Sequence, residues 1–190
     1  MKIARLLTAA AALVALTSAP ALDADVQAPA GGPAAHRSEL QAQAKASHLS
    51  PQQARSLQAR VDRVVAQTGG TQVAINQVRL DGGDILIPLP GEARARELGA
   101  APRDGFPHGC NFRQFCLYRK KNYTGMVARM SSCTLHDTST FIFETYVNHR
   151  TRGTRARFYD YKLHLLSHTK PAPAQGITSL GVRTFYVRPC

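Results

Sequence analysis

The sequence lacks most of the short signatures that announce an enzyme. It has no Gly-x-Ser-x-Gly elbow for an acyl nucleophile and no Gly-Lys-Ser/Thr loop for phosphates. It also lacks His-Glu-x-x-His. The nearest approach, His164-Leu-Leu-Ser-His168, has leucine where the glutamate base must stand. Its surroundings are strand-like, which would set the two rings about 13 Å apart, too far to share one metal. His108, His136 and His149 are scattered singly. Paired acids for glycoside cleavage would have to come from Asp137, Glu144 and Asp160, with no motif behind them. No catalytic residue and no cofactor is therefore expected, and an enzyme is the least supported class.

A Cys-x2-Cys knuckle is missing too. The four cysteines, Cys110, Cys116, Cys133 and Cys190, are irregularly spaced, which speaks against a zinc site. Long apolar runs are scarce. The longest, Leu6 to Leu16, is about half of what a bilayer span needs. It follows Lys2 and Arg5 and precedes the small residues Ala19-Pro20-Ala21, the pattern of an export signal over residues 1–21. A secreted, extracellular protein is expected, and in that compartment an even number of cysteines implies two disulfides. Four cysteines permit three pairings, and sequence alone does not choose. Cys110 and Cys116 are close enough for a local loop, which would leave Cys133 to tie down Cys190.

Acidic residues are scarce where it matters. Of 24 Lys and Arg, nine lie in residues 22–109 and thirteen from Cys110 onward, while the acids divide as nine and three. The middle is neutral and the last 81 residues carry +10. Such an excess draws a protein to anionic surfaces or keeps it soluble.

Residues 22–48 are rich in Ala, Pro, Gly and Gln and read as a disordered tether. Ser50-Pro51-Gln52-Gln53 reads as a capped helix start, with Leu57, Val61, Val64 and Val65 on one face and Gly69-Gly70 as the stop. Val73 and Ile75, then a turn at Asp81-Gly82-Gly83, then Ile85 and Ile87 predict one β-hairpin. Residues 49–90 thus form a small unit, marginal alone, that either docks on the next module as a pre-domain or is a removable pro-segment, and 91–106 form a linker. From residue 107 the texture becomes all-β: FCLYRK, GMVARM, FIFETYV, RARFYDY, LHLL and TFYVR are short strand-like runs between turn residues. The fold class expected is mainly β, a C-terminal sandwich over 107–190 preceded by helix plus hairpin.

Within that region Tyr118-x4-Tyr123-x-Gly125 resembles the Greek-key signature of the βγ-crystallin superfamily. There an aromatic sits on the first strand, a second on the folded hairpin, and a glycine takes the bend. Cys110-x5-Cys116-Leu-Tyr, TYVNHRTRGTRARFYDY and TFYVRPC resemble segments of the peptidase inhibitor I36 family, typified by a Streptomyces metalloproteinase inhibitor. The likeness covers roughly Pro107 to Cys190. It departs at a second key around Arg157 to Leu166, which keeps Phe158 and Tyr159 without an aromatic-x-Gly. It also departs at Asp137-Thr138-Ser139, which lacks the paired ligands of calcium-binding modules.

The resemblance implies a monomeric inhibitor occupying the cleft of an extracellular metalloprotease without covalent chemistry. Tyr118, Tyr123 and Gly125 would serve as scaffold. The target-contact loops expected are Arg119, Lys120, Lys121 and Asn122, and His149, Arg150 and Arg152. A rival class is a cationic module acting on anionic cell-surface polymers. Nucleic acid is not an expected partner of an exported chain. Asn122-Tyr-Thr124 matches a glycosylation sequon.

Overall fold

The computed structural model describes residues 33–98 and 107–190. The expected export signal over residues 1–21, residues 22–32 of the expected tether and residues 99–106 of the expected linker lie outside the described residues.

The tether expectation needs correction over its second half, where Pro33–Ala46 forms α1. Ala, Gln, Glu and Lys all have high helix propensity, which composition-based reasoning about disorder overlooks. Leu40 and Ala44 pack on the core, and the Gln43 side-chain carbonyl accepts the Ile75 N–H at 2.8 Å. Helix α2 (Pro51–Thr68) starts as its capping box dictates. Ser50 Oγ accepts the Gln53 N–H at 3.2 Å, and Gln53 Oε1 accepts the Ser50 N–H at 2.8 Å. Leu57, Val61 and Val64 are buried along its inner face, each worth roughly 1.5–3 kcal/mol relative to exposure. Gly69, left-handed at φ 67°, ends the helix.

Three strands follow where the sequence predicts two: β1 (Thr71–Ala74), β2 (Gln77–Leu80) and β3 (Gly83–Leu86). The extra turn falls at Ile75-Asn76. The buried Asn76 side chain donates there to the Ile87 and Arg96 carbonyls at 3.0 and 2.9 Å, replacing ladder bonds lost at the corner. Ile75 is buried as alternation requires, but in a turn rather than a strand.

From residue 114 onward the strands are β4 (Gln114–Lys120), β5 (Thr124–Met130), β6 (His136–Asp137), β7 (Thr145–His149), β8 (Arg157–Tyr159), β9 (Leu165–His168), β10 (Ala174–Ile177) and β11 (Tyr186–Arg188). The aromatic run Phe141–Phe143 buries Phe141 and Phe143 but stays outside any strand. One sheet has the order β1-β2-β3-β5-β4-β7-β10 and the other β6-β11-β8-β9, all neighbours antiparallel. β4, β5 and β7 lie together while β6 crosses to the second sheet. β8, β9 and β11 lie together while β10 crosses to the first. Two four-strand units thus exchange their third strands.

The core lies between the sheets. Phe115 and Tyr146 of the first meet Phe158 of the second at ring distances of 6.2 and 6.4 Å, and Phe143 stacks on Phe158 at 5.8 Å. Leu57, Val61, Val64, Val78 and Ile85 belong to the same cluster. The pre-domain therefore does not stand apart, because β3 pairs with β5 and its apolar residues share one core with the C-terminal region. Alternation sends Cys116, Tyr118 and Val127 to the opposite face of the first sheet, where they pack with Leu86, Cys110 and Val147. Arg129 is buried on that face as well, paired with Asp84 of β3 and, at 2.6 Å, with Glu97. Burial alone would lower its pKa, but the hydrogen bonds and charges of Asp84 and Glu97 outweigh that and raise it. Disulfides join Cys110 to Cys116 and Cys133 to Cys190, with Cα separations of 5.9 and 5.4 Å.

Candidate functional site

The β4–β5 hairpin carries the first predicted loop. Tyr118 is buried, and its hydroxyl donates to the His108 carbonyl at 3.1 Å. Tyr123 stands edge-on to Tyr118 at 5.5 Å and lies flat on the His108 imidazole at 3.8 Å. Desolvation raises the Tyr118 phenol and lowers the His108 imidazole, the latter helped by Arg94. The bend needs three left-handed backbones: Asn122 and Tyr123 at φ 56° and 57° and, beyond the extended Thr124, Gly125 at φ 77°. Thr124 Oγ1 donates to the Lys121 carbonyl at 2.8 Å, and the Gly125 N–H donates to Ala93 at 2.7 Å. Both tyrosines and the glycine are structural. Arg119, Lys120, Lys121 and Asn122 are exposed at the tip.

In the second predicted loop His149 and Arg150 are half-buried and bonded to neighbouring segments. His149 Nδ1 lies 2.9 Å from the Cys110 carbonyl, and its ring edge meets Phe112. Arg150 donates to the Arg113 and Ser131 carbonyls at 2.7 and 2.5 Å and reaches Cys133 Sγ at 2.8 Å and Cys190 Sγ at 3.4 Å. Its guanidinium clamps three segments at the Cys133–Cys190 bridge. Burial, then the charge of Arg113, lowers its pKa. Arg152 alone of the three is exposed.

A loop absent from the sequence expectations is better built for contact. Between β8 and β9, Asp160 Oδ1 accepts the N–H groups of Lys162 and His164, each at 2.8 Å. The Asp160 N–H donates to the His164 carbonyl at 3.0 Å, and Oδ2 lies 3.2 Å from His164 Nδ1. These donors outweigh desolvation and hold the Asp160 carboxyl below its ordinary pKa. Leu163 takes a left-handed φ of 65°. The outcome is a clamped loop with Tyr161 62% and Leu163 53% exposed. Lys162 Nζ lies over the Tyr161 ring at 5.4 Å, and Phe185 flanks that ring at 5.8 Å. The available signal is an aspartate able to cap its own turn in Asp160-Tyr-Lys-Leu-His164, a stretch with no second ring-x-glycine.

Asp137 and Asp160 accept N–H groups within their own turns, from Ser139 and from the residues just named, and Glu144 accepts the Lys121 N–H of the β4–β5 hairpin. Ser132 Oγ lies 3.0 Å from His136 Nε2, but it also bonds Thr134 Oγ1 at 2.6 Å. No carboxylate among the described residues is within ion-pair distance of His136. Among the described residues no group of three or more His, Cys, Asp or Glu could hold a metal. No family model matches the chain, and no curated protein or solved structure does either.

Proposed function

We propose that this protein is an exported peptidase-inhibitor-like binder built on two Greek-key units of βγ-crystallin type. It occupies a protease cleft, that of a metalloprotease first, without covalent chemistry. The exchange of third strands between two four-strand units supports the Greek-key reading, together with the tyrosine and glycine corner of β4–β5. The inhibitory reading rests on the Asp160-clamped loop, which presents Tyr161, Lys162 and Leu163 on a scaffold cross-linked at two points. A pre-ordered loop enters a cleft with little loss of conformational entropy, and an aromatic beside an aliphatic residue is what an enclosed apolar pocket takes. This replaces the contact loop at His149–Arg150. A fold of this type hosts many functions, so the loop and not the fold carries the argument.

The deciding experiment titrates the disulfide-bonded full chain against a thermolysin-like metalloprotease, with serine and cysteine proteases alongside, at low and moderate salt. Reversible inhibition that survives salt is expected. It should weaken by roughly tenfold or more for Tyr161→Ala with Leu163→Ala, as for interface hot spots. Absence of inhibition in all three classes would leave the rival reading, a cationic module on anionic surfaces, whose adsorption fades with salt.

A further inference from the structure

A cleft of about 540 Å³ opens between α2 and the β4–β5 hairpin, within the roughly 300–1,000 Å³ typical of small-ligand sites. Four cations line it: Arg60 and Arg63 from α2, Arg119 and Lys120 from the end of β4. Among the described residues its only acidic lining residue is Glu92, already held by Arg96 Nε at 3.0 and 3.2 Å. None of the four cations has an ion-pair partner among the described residues.

The sequence around them deepens the imbalance. Arg60 and Arg63 stand three apart on one helix face, a like-charge spacing that weakens a helix. Neither has an acidic residue three or four positions away. Arg60 is half-buried and fixed by a 3.1 Å bond to the Pro88 carbonyl. Burial, and then the charge of Arg63, lowers its pKa, so the crowding is felt at the guanidinium. Solvated cations on a convex face have no reason to converge in this way, whereas a cleft of one sign concentrates an anionic ligand.

We propose that this cleft binds a run of phosphate groups on a linear polymer that carries no bases. Three guanidiniums match phosphate oxygens in bidentate geometry, and the lysine adds a point charge. Among the described residues no aromatic ring lines the cleft, so they offer no platform on which bases would stack, the recurring feature of single-strand sites. The site belongs to α2 and the first sheet, whereas the Asp160 loop belongs to the second. Anion binding and protease inhibition therefore succeed or fail independently.

The test is calorimetric titration of the disulfide-bonded full chain with inorganic tripolyphosphate, against sulfate at matched ionic strength and an oligothymidylate of equal phosphate count. Saturable one-to-one binding of tripolyphosphate is expected. It should weaken ~tenfold or more in Arg63→Gln with Lys120→Gln, because two of the four charge-assisted contacts to the anion are lost. Arg157→Gln with Arg188→Gln removes the same charge from exposed positions of the second sheet and should change affinity less than about twofold. Arg119→Gln alone supplies a second cleft variant should the double one fold poorly. Equal weakening by the second-sheet pair, no saturable binding, equal occupancy by sulfate, or tighter binding of the oligothymidylate would each overturn the proposal.

Discussion

His108 and His136 show how burial sets the protein's response to acid. Desolvation is the largest cause holding each imidazole below its ordinary value of 6.5, with Arg94 adding to it at His108 and Arg150 at His136. The unfolded chain takes up these protons once the pH falls below 6.5, and the folded chain resists them. The stability contributed by the neutral rings is thus complete above that value and is lost as the pH falls through the lowered folded values. Denaturant unfolding at about pH 7.5 and about pH 5 should show a fall that shrinks in His108→Gln and His136→Gln. An unchanged midpoint across that window would contradict the burial account. His108 also explains the aromatic corner, since its carbonyl satisfies the Tyr118 hydroxyl while its ring covers Tyr123.

At the level of single elements, the β4–β5 hairpin isolates what glycine contributes. A Cβ at Gly125 would meet its nearest atoms at 3.5 Å, ordinary contact, so space is not the constraint. The φ of 77° is. Gly125→Ala should cost roughly 1–2 kcal/mol through left-handed strain alone, read by chemical denaturation. A neutral substitution would mean that the corner relaxes. The β8–β9 hairpin reaches a similar bend without glycine by spending an aspartate on two backbone N–H groups. Sequence reading found the first hairpin because its signal is a residue type at fixed spacing. It places a second key at Arg157 to Leu166 but not the Asp160 clamp, because the signal there is a hydrogen-bond pattern that many Asp-containing loops could form.

On the scale of the whole molecule, the N-terminal segment is structural rather than appended. Among the described residues, eight of the eighteen buried in the principal core come from Leu57 to Leu89. β3 also covers the β5 edge, and Asp84 and Glu97 neutralise the buried Arg129. A fragment of residues 107–190 would expose that edge, the apolar face beneath α2 and an unpaired guanidinium. It should aggregate or unfold without cooperativity, as size-exclusion chromatography and thermal melting would show. A monomeric fragment melting at the temperature of the full chain would restore the view of an independent C-terminal domain. The same docking creates the basic cleft, since α2 and the end of β4 contribute two cations each.

Local physics alone determined the capped helix α2, the short strands from residue 114 onward and the bend at Gly125. Each depends on neighbours in the chain: a cap three residues from its partner, alternation along a strand, a backbone angle that only glycine takes freely. Packing between distant segments decided the rest. It turned one expected hairpin into three strands joined to the main sheet, drew Arg150 onto the Cys133–Cys190 bridge, and gathered Arg60, Arg63, Arg119 and Lys120 around one cleft. Burial and electrostatic crowding act through space, and a reading along the chain has no measure of which residues will meet.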